Sequence, residues 1–313
     1  NAALDALSPE AYAGISELGV RVVRNFAQMP ASKRRIALDK QWDYSVGYAG
    51  EMITSDSPTP GAANYKLSNN QVHLTAGRDF DSTSRLTFAI GRDDGRVSAS
   101  GFTADTDTQA FGVGLNLTDV AKTWTLDLGL AVTRQDWDAA HGAAAASAEN
   151  QDGLAASARL TFAPTKDGDL SYSPYVGLAY AIQEQSGVSE DAAAAGAGVG
   201  FAGYDRKSVL SEVGLKAEYA YQPGTTLTGV VAWEHEFKNG GETDLNAEFT
   251  EAGATDTRFN VTSTGLGADT FRLGVGVRVD LGATSVFSLG YDALISSDSK
   301  SGQGVKADVT FRF

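Results

Sequence analysis

The chain has 313 residues, with 25 Lys and Arg against 39 Asp and Glu, for a formal charge of −14. That balance argues against a nucleic-acid binder, which needs a basic face for phosphates, and the absence of cysteine excludes disulfides, thiolate metal sites and cysteine nucleophiles. Mean hydropathy is −0.19 and no run approaches the ~18 apolar residues of a spanning helix, which excludes a helical membrane bundle but not a membrane β-barrel, where apolar residues occupy alternate positions.

No signal peptide is visible at Asn1. Ser8-Pro9-Glu10 is a helix start, since Ser caps free N–H groups and Pro suits the first helical position. Tyr12, Ile15, Leu18, Val22 and Phe26 follow at helical spacing, with Glu17, Arg21 and Arg24 between them. The pattern weakens at Met29-Pro30 and a basic run, Lys33-Arg34-Arg35, comes next, so one helix is expected over roughly residues 9–28. Residues 1–40 form a helix and linker, and residues 41–313 form a second unit of different periodicity.

From about residue 41 the period is two. Trp124, Leu126, Leu128, Leu130 and Val132 alternate with Thr125, Asp127, Gly129, Ala131 and Thr133; Phe271, Leu273, Val275, Val277 and Val279 alternate with Arg272, Gly274, Gly276, Arg278 and Asp280. Candidate strands fall near 41–54, 70–80, 84–98, 105–117, 122–137, 151–163, 169–186, 205–221, 225–238, 268–281, 284–297 and 303–313, an even set of about 12. Short connections at 79–84, 118–122, 164–168, 222–225 and 281–284 alternate with longer ones at 55–69, 138–150, 187–204 and 238–267. Short periplasmic turns and longer external loops are the asymmetry of an outer-membrane barrel. Asp94-Gly95 is a good hairpin turn, which would shorten the loop near 93–104. The alternation within 243–262 is assigned to a protruding external hairpin. The fold expected is an all-β transmembrane barrel of about 12 antiparallel strands.

In hydrocarbon the apolar phase must face lipid. The other phase then lines the pore: Asp43, Glu51, Asp127, Arg159, Glu212, Lys216, Glu218, Glu234, Glu236, Arg272, Arg278 and Asp280, with Arg85, Asp292, Lys306, Asp308 and Arg312. A charge on the lipid face costs roughly 2–4 kcal/mol at mid-depth, which fixes this register. Trp42, Tyr44, Phe80, Phe88, Trp124, Tyr172, Tyr219, Trp233, Phe237, Phe271, Phe287, Phe311 and Phe313 share the outer phase, mostly near strand ends where aromatic girdles sit. Glycines crowd the inner phase, among them Gly91, Gly112, Gly129 and Gly274, for curvature, for clearance, or for both. Twelve strands ~4.8 Å apart and tilted ~40° leave a bore near the ~10–12 Å width of one helix. A helix of ~30 Å over residues 9–28 would fill it, with Tyr12, Ile15, Leu18, Arg21, Val22, Arg24 and Phe26 as its pore-facing set and its basic residues toward an acidic wall.

The amphipathic stretch Ala3–Tyr12, the sequence Trp233-Glu234-His235-Glu236-Phe237, a long loop, then Leu273-Gly274-Val275-Gly276, Leu289-Gly290-Tyr291-Asp292 and the terminal alternation Val305, Ala307, Val309, Phe311, Phe313 appear in that order. In these features the chain resembles the C-terminal translocator domain of type Va autotransporters. The resemblance implies a 12-stranded barrel with a helix through its pore, bacterial outer-membrane location, and export and anchoring of an N-terminal passenger. It also implies that Val309, Phe311 and Phe313 form an assembly signal for the barrel-assembly machinery, with periplasmic chaperones as earlier partners. A plain porin and, less favoured, a barrel lipase or protease are the alternatives. No catalytic set, metal or cofactor is expected: His73, His141 and His235 lie far apart, and alternation turns His235 away from Glu234 and Glu236. Self-cleavage at a junction before Asn1 is a minor expectation from the resemblance.

Overall fold

A computed structural model describes residues 9–32, 42–56, 64–142, 144–190, 198–238, 244–250, 258–262, 265–297 and 299–312. Asn1, the Lys33-Arg34-Arg35 run, Gln41 and Phe313 lie outside the described residues. Twelve strands form the barrel: β1 (Trp42–Ser55), β2 (Tyr65–Asp79), β3 (Ser84–Ala99), β4 (Phe102–Thr118), β5 (Trp124–His141), β6 (Ala144–Phe162), β7 (Leu170–Gln185), β8 (Tyr204–Gln222), β9 (Thr225–Glu236), β10 (Asp269–Asp280), β11 (Ser285–Ser296) and β12 (Lys300–Arg312). Each pairs antiparallel with the next, and β12 returns to β1 with Val309 opposite Val46 and Phe311 opposite Tyr44. Closure leaves no sheet edge, so backbone groups at membrane depth are paired.

The alternation sorts as the sequence requires. Ile90, Phe111, Leu130, Val132, Leu154, Leu178, Val213, Val231 and Val275 point outward as an exposed apolar band. Above Ile90, the outward residues of β3 become Arg92, Asp94 and Arg96, and those of β4 and β5 likewise turn charged. Arg92 reaches Asp107 at 2.6 Å, Arg96 reaches Asp105 at 2.6 Å and Arg134 reaches Asp152 at 3.5 Å, all exposed. These charges mark where hydrocarbon must end.

The sheet nevertheless continues past that boundary, and this corrects several expected loops. β2 begins at Tyr65 rather than near residue 70, and β5 and β6 run to His141 and from Ala144, so most of 138–150 is strand. Asp94-Gly95 is no turn; both lie within β3, and the chain reverses at Ser100-Gly101, with Gly101 at φ 73°. The lipid criterion stops at the membrane surface, whereas strand pairing does not. The expected protruding hairpin is also different. Asp244–Phe249 pairs with Arg258–Thr262 and with Val199–Phe201, which pairs with Val188–Ser189, making a four-stranded sheet. Its Leu245, Ala247, Val199 and Phe201 pack with Tyr12, Ile15, Phe102 and Trp137. The hairpin therefore folds inward as a cap, because its alternate apolar residues need burial that water cannot give.

The N-terminal segment is a 3-10 turn at Pro9–Tyr12 followed by helix α1, Ala13–Ser32. It runs past the expected end and through Pro30. Proline there cannot donate to the Phe26 carbonyl, and the helix ends two residues later at Ser32. Tyr12, Ile15, Leu18, Val20, Val22, Val23 and Phe26 are each 0–1% exposed, so the helix lies inside the barrel. Full burial of such side chains contributes about 1.5–3 kcal/mol each.

Candidate functional site: the occupied pore

The helix does not sit on the barrel axis. It packs mainly on β2 to β8, and reaches toward β9 and β12 through Arg24 and Glu17. The contacted wall is cut to receive it. Ala89, Gly112, Ala131, Ala155 and Ala181 form one inward row across β3 to β7, each directly opposite its neighbour. Side chains here would collide with helix backbone: a Cβ on Gly112 would lie 2.5 Å from the Phe26 carbonyl oxygen, and one on Gly129 would overlap the Ala27 carbonyl oxygen. Ser157 Oγ donates to that same Ala27 carbonyl at 3.2 Å. Clearance thus explains the inner-phase glycines of this wall. Gly214 serves otherwise: the Tyr175 ring occupies the space its side chain would take.

One acid holds the outer half of the helix. Glu17, fully buried, receives Lys300 Nζ at 2.8 Å and the Tyr65 hydroxyl at 2.6 Å, pairs with Arg21 one turn on at 3.1 Å, and has Arg206 at 4.0 Å. Arg206 also donates to the Ala13 carbonyl at 2.8 Å. The expected polarity, a basic helix against an acidic wall, is inverted at this point: the helix brings the anion and β8 and β12 bring the cations. Arg24 follows the expected sense, buried in the field of Glu234, Glu236 and Glu51.

Above the helix, Glu190 ties cap to barrel. The Tyr12 hydroxyl donates to Oε1 at 2.8 Å, His141 Nδ1 lies 2.8 Å from the same oxygen, and the Val199 amide donates to Oε2 at 2.8 Å. Burial pushes this carboxyl up, but the hydrogen bonds from His141, Tyr12 and the Val199 amide outweigh it and hold it below the usual glutamate range.

The remaining lining charges pair mostly with one another. Glu212 binds Arg159 at 2.6 Å, Arg272, and the Tyr175 hydroxyl at 2.7 Å, while Lys216 lies 5.2 Å above the Tyr175 ring. Arg272 also reaches Glu234 at 3.3 Å, Arg278 reaches Glu218 at 3.1 Å, and Asp43 takes Arg85 at 2.5 Å. Asp127 accepts from Asn116 at 2.5 Å, and Glu236 from Ser208 at 2.5 Å and the Val209 amide at 2.7 Å. Asp280 sits exposed at the periplasmic rim, below this network. Glu51 and Arg24 border a polar cavity of about 80 Å³ between the helix and the far wall, with Gln28, Glu234, Arg272 and Lys306. His235 points outward to Asp269 at 3.0 Å, lies tilted against Trp233 and meets Phe237 edge-on, so it does not meet Glu234 or Glu236. Phe311 and Val309 lie on the outer face of the closing strand.

A closed 12-stranded barrel with an apolar waist, a polar lumen and its own N-terminal helix inside is an outer-membrane barrel of the plugged class. The autotransporter β-domain model matches residues 46–292. The chain belongs to that family, and is the outer-membrane unit that anchors and exports an N-terminal passenger. It is similar in fold to the translocator domain of the autotransporter NalP from Neisseria meningitidis, with TM-score 0.72 and 13% identity over 98% of this chain and 99% of that one. It is also similar to the β domain of the Bordetella autotransporter BrkA (TM-score 0.57, 12% identity, 87% and 100% covered) and the transport unit of AIDA-I from Escherichia coli (TM-score 0.54, 9% identity, 95% and 97% covered). No curated protein sequence matches the chain. The family is one of translocators rather than enzymes.

Proposed function

We propose that α1 is the trailing segment of the exported polypeptide, lodged in the lumen once transport ends, and that residues 1–40 and 41–313 act as stopper and barrel. The observation that carries this is the helix direction. Its first turn, at Tyr12, lies among Phe102, Trp137 and Phe201 at the outer end, while Ala27 lies over Gly129 and Ser157 further toward the periplasm. A passenger joined ahead of Pro9 would therefore emerge outside. Tyr12, Ile15, Leu18, Val22 and Phe26 seal the pore, and Arg21 and Arg24 face its remaining polar space. The lining charges keep that space wet and hold the wall in shape.

Val309 and Phe311, with Phe313 beyond the described residues, serve as the assembly signal read by the barrel-assembly machinery after periplasmic chaperones have delivered the chain. Pairing of this strand with β1 supports the reading, since this is the seam that joins the last strand to the first. Any self-cleavage before Asn1 belongs to the passenger junction, which the described residues do not include. An epitope fused ahead of Asn1 tests the proposal. It should be shaved by protease from intact cells while the barrel stays protected; an epitope protected until the outer membrane is opened would overturn it.

A further inference from the structure

The lumen carries a polar row that the helix does not use. Gln71 on β2, Asp93 on β3, Thr108 on β4, Gln135 on β5 and Gln151 on β6 stand directly opposite one another, strand to strand. All five are 0–1% exposed. Each holds at least one side-chain polar atom without a hydrogen-bond partner: Gln71 Nε2, Asp93 Oδ1, Thr108 Oγ1, and both amide atoms of Gln135 and of Gln151. Those atoms are sealed from solvent.

The helix covers this row. On β3 the inward neighbours of Asp93 are Gly95, where a side chain would strike Leu18, and Gly91, where it would meet Phe26 at 2.6 Å. The turn carrying Val22 lies between those two contacts. An α-helix has already spent its backbone donors and acceptors on itself, and the residues this one presents are apolar. It has nothing to offer the row. Buried polar groups left unpaired are costly and uncommon, and five in one rung lie beside a groove otherwise built of Ala and Gly. An extended polypeptide has the opposite character: every residue exposes an unpaired N–H and C=O. Gln side chains donate and accept, Thr does both, and Asp accepts, so such a row can bind main chain of any sequence.

We propose that this row is a binding site for extended polypeptide main chain in transit, with the small-residue groove serving the helix that replaces it. The proposal rests on the export reading above. Because the row runs at right angles to the tilted strands and climbs obliquely round the wall rather than following the pore axis, a moving chain crosses it and exchanges hydrogen bonds residue by residue.

The test uses the full chain in cells with an unstructured, epitope-tagged polypeptide fused ahead of Asn1. The triple variant Thr108→Val, Gln135→Met, Gln151→Met keeps shape and removes the polar atoms. It should assemble normally, as judged by heat-modifiable gel mobility, with an unchanged or raised melting temperature, and surface appearance of the epitope should slow about tenfold. The pair Gln135→Asn, Gln151→Asn keeps the amides and should export near the parent rate. Unchanged export in the triple variant overturns the proposal. A lowered melting temperature or failed assembly of that variant overturns it too, because the groups would then be needed by the resting barrel. Failure of the parent fusion to reach the surface would instead strike the export reading.

Discussion

The barrel has two unlike walls. Across β3 to β7 the inner row Ala89, Gly112, Ala131, Ala155 and Ala181 is small and neutral where the helix rests, and β3 to β6 are 16 to 19 residues long. At β9, β10 and β11 the strands are 12 residues long, and the inner face there and on β12 and β1 carries Glu234, Arg272, Asp292, Lys306 and Glu51. At ~3.3 Å per residue and a ~40° tilt, an 18-residue strand rises ~45 Å and a 12-residue strand ~30 Å. The tall wall thus stands above the membrane and carries the cap, while the short wall only spans. A wall that must meet a solid needs matched shape; a wall that meets water needs paired charge.

The contrast would be broken most severely at Glu17, where the helix reaches across to both. Glu17→Gln leaves Lys300 and Arg206 buried without their anion, a loss of about 3–5 kcal/mol. The expected outcome is a lower melting temperature together with a larger single-channel conductance as the helix loosens. Conductance and melting equal to the parent would show that shape alone retains it. Next, glycine should matter on one wall only. Gly129→Ala presses on the Ala27 carbonyl and should cost about 1–3 kcal/mol, whereas Gly290→Ala on β11 meets only the Val275 carbonyl oxygen at 3.7 Å and should be neutral. Thermal melts of the two variants check this, and equal losses would return the inner glycines to a curvature role.

The smallest effect is confined to the cap. The lowered pKa of Glu190 means that its stabilisation is complete above the usual glutamate value of ~4.3 and fades as pH falls through the lowered one. Protease sensitivity near Val199 should therefore rise on acidification, with the barrel still folded. Glu190→Gln should remove that acid step; a parent cap equally resistant at both ends of the range would count against the Glu190 tie.

The barrel was legible because one physical rule, apolar toward lipid, acts on every second residue for the full span of each strand. Strand number, register and the outward aromatics all follow from it, while the helix was legible from its own 3.6-residue spacing. Where lipid ends the rule ends, which is why residues 65–69 and most of 138–150 suggested loop and are sheet. The clamp was hidden for a different reason. Glu17 and Arg21 at helical spacing look like an ordinary surface pair, and nothing near residue 17 announces Lys300, 283 positions away. The one available signal was Glu17 itself, an acid flanked by Ile15 and Leu18 on a helix assigned to a bore barely its own width. The inward row of Ala and Gly could be seen strand by strand, but its alignment into a groove depends on the stagger between strands.

The partners of Glu17 also impose an order of events. Tyr65 stands on the second strand, Arg206 on the eighth and Lys300 at the start of the last. They come within reach of one carboxylate only after the final strand has met the first, so the clamp responds to coincidence rather than to any one neighbour. A half-built sheet would offer the helix a groove but no lock. The full clamp therefore exists only in a closed ring, which makes a single buried acid a reporter of barrel closure.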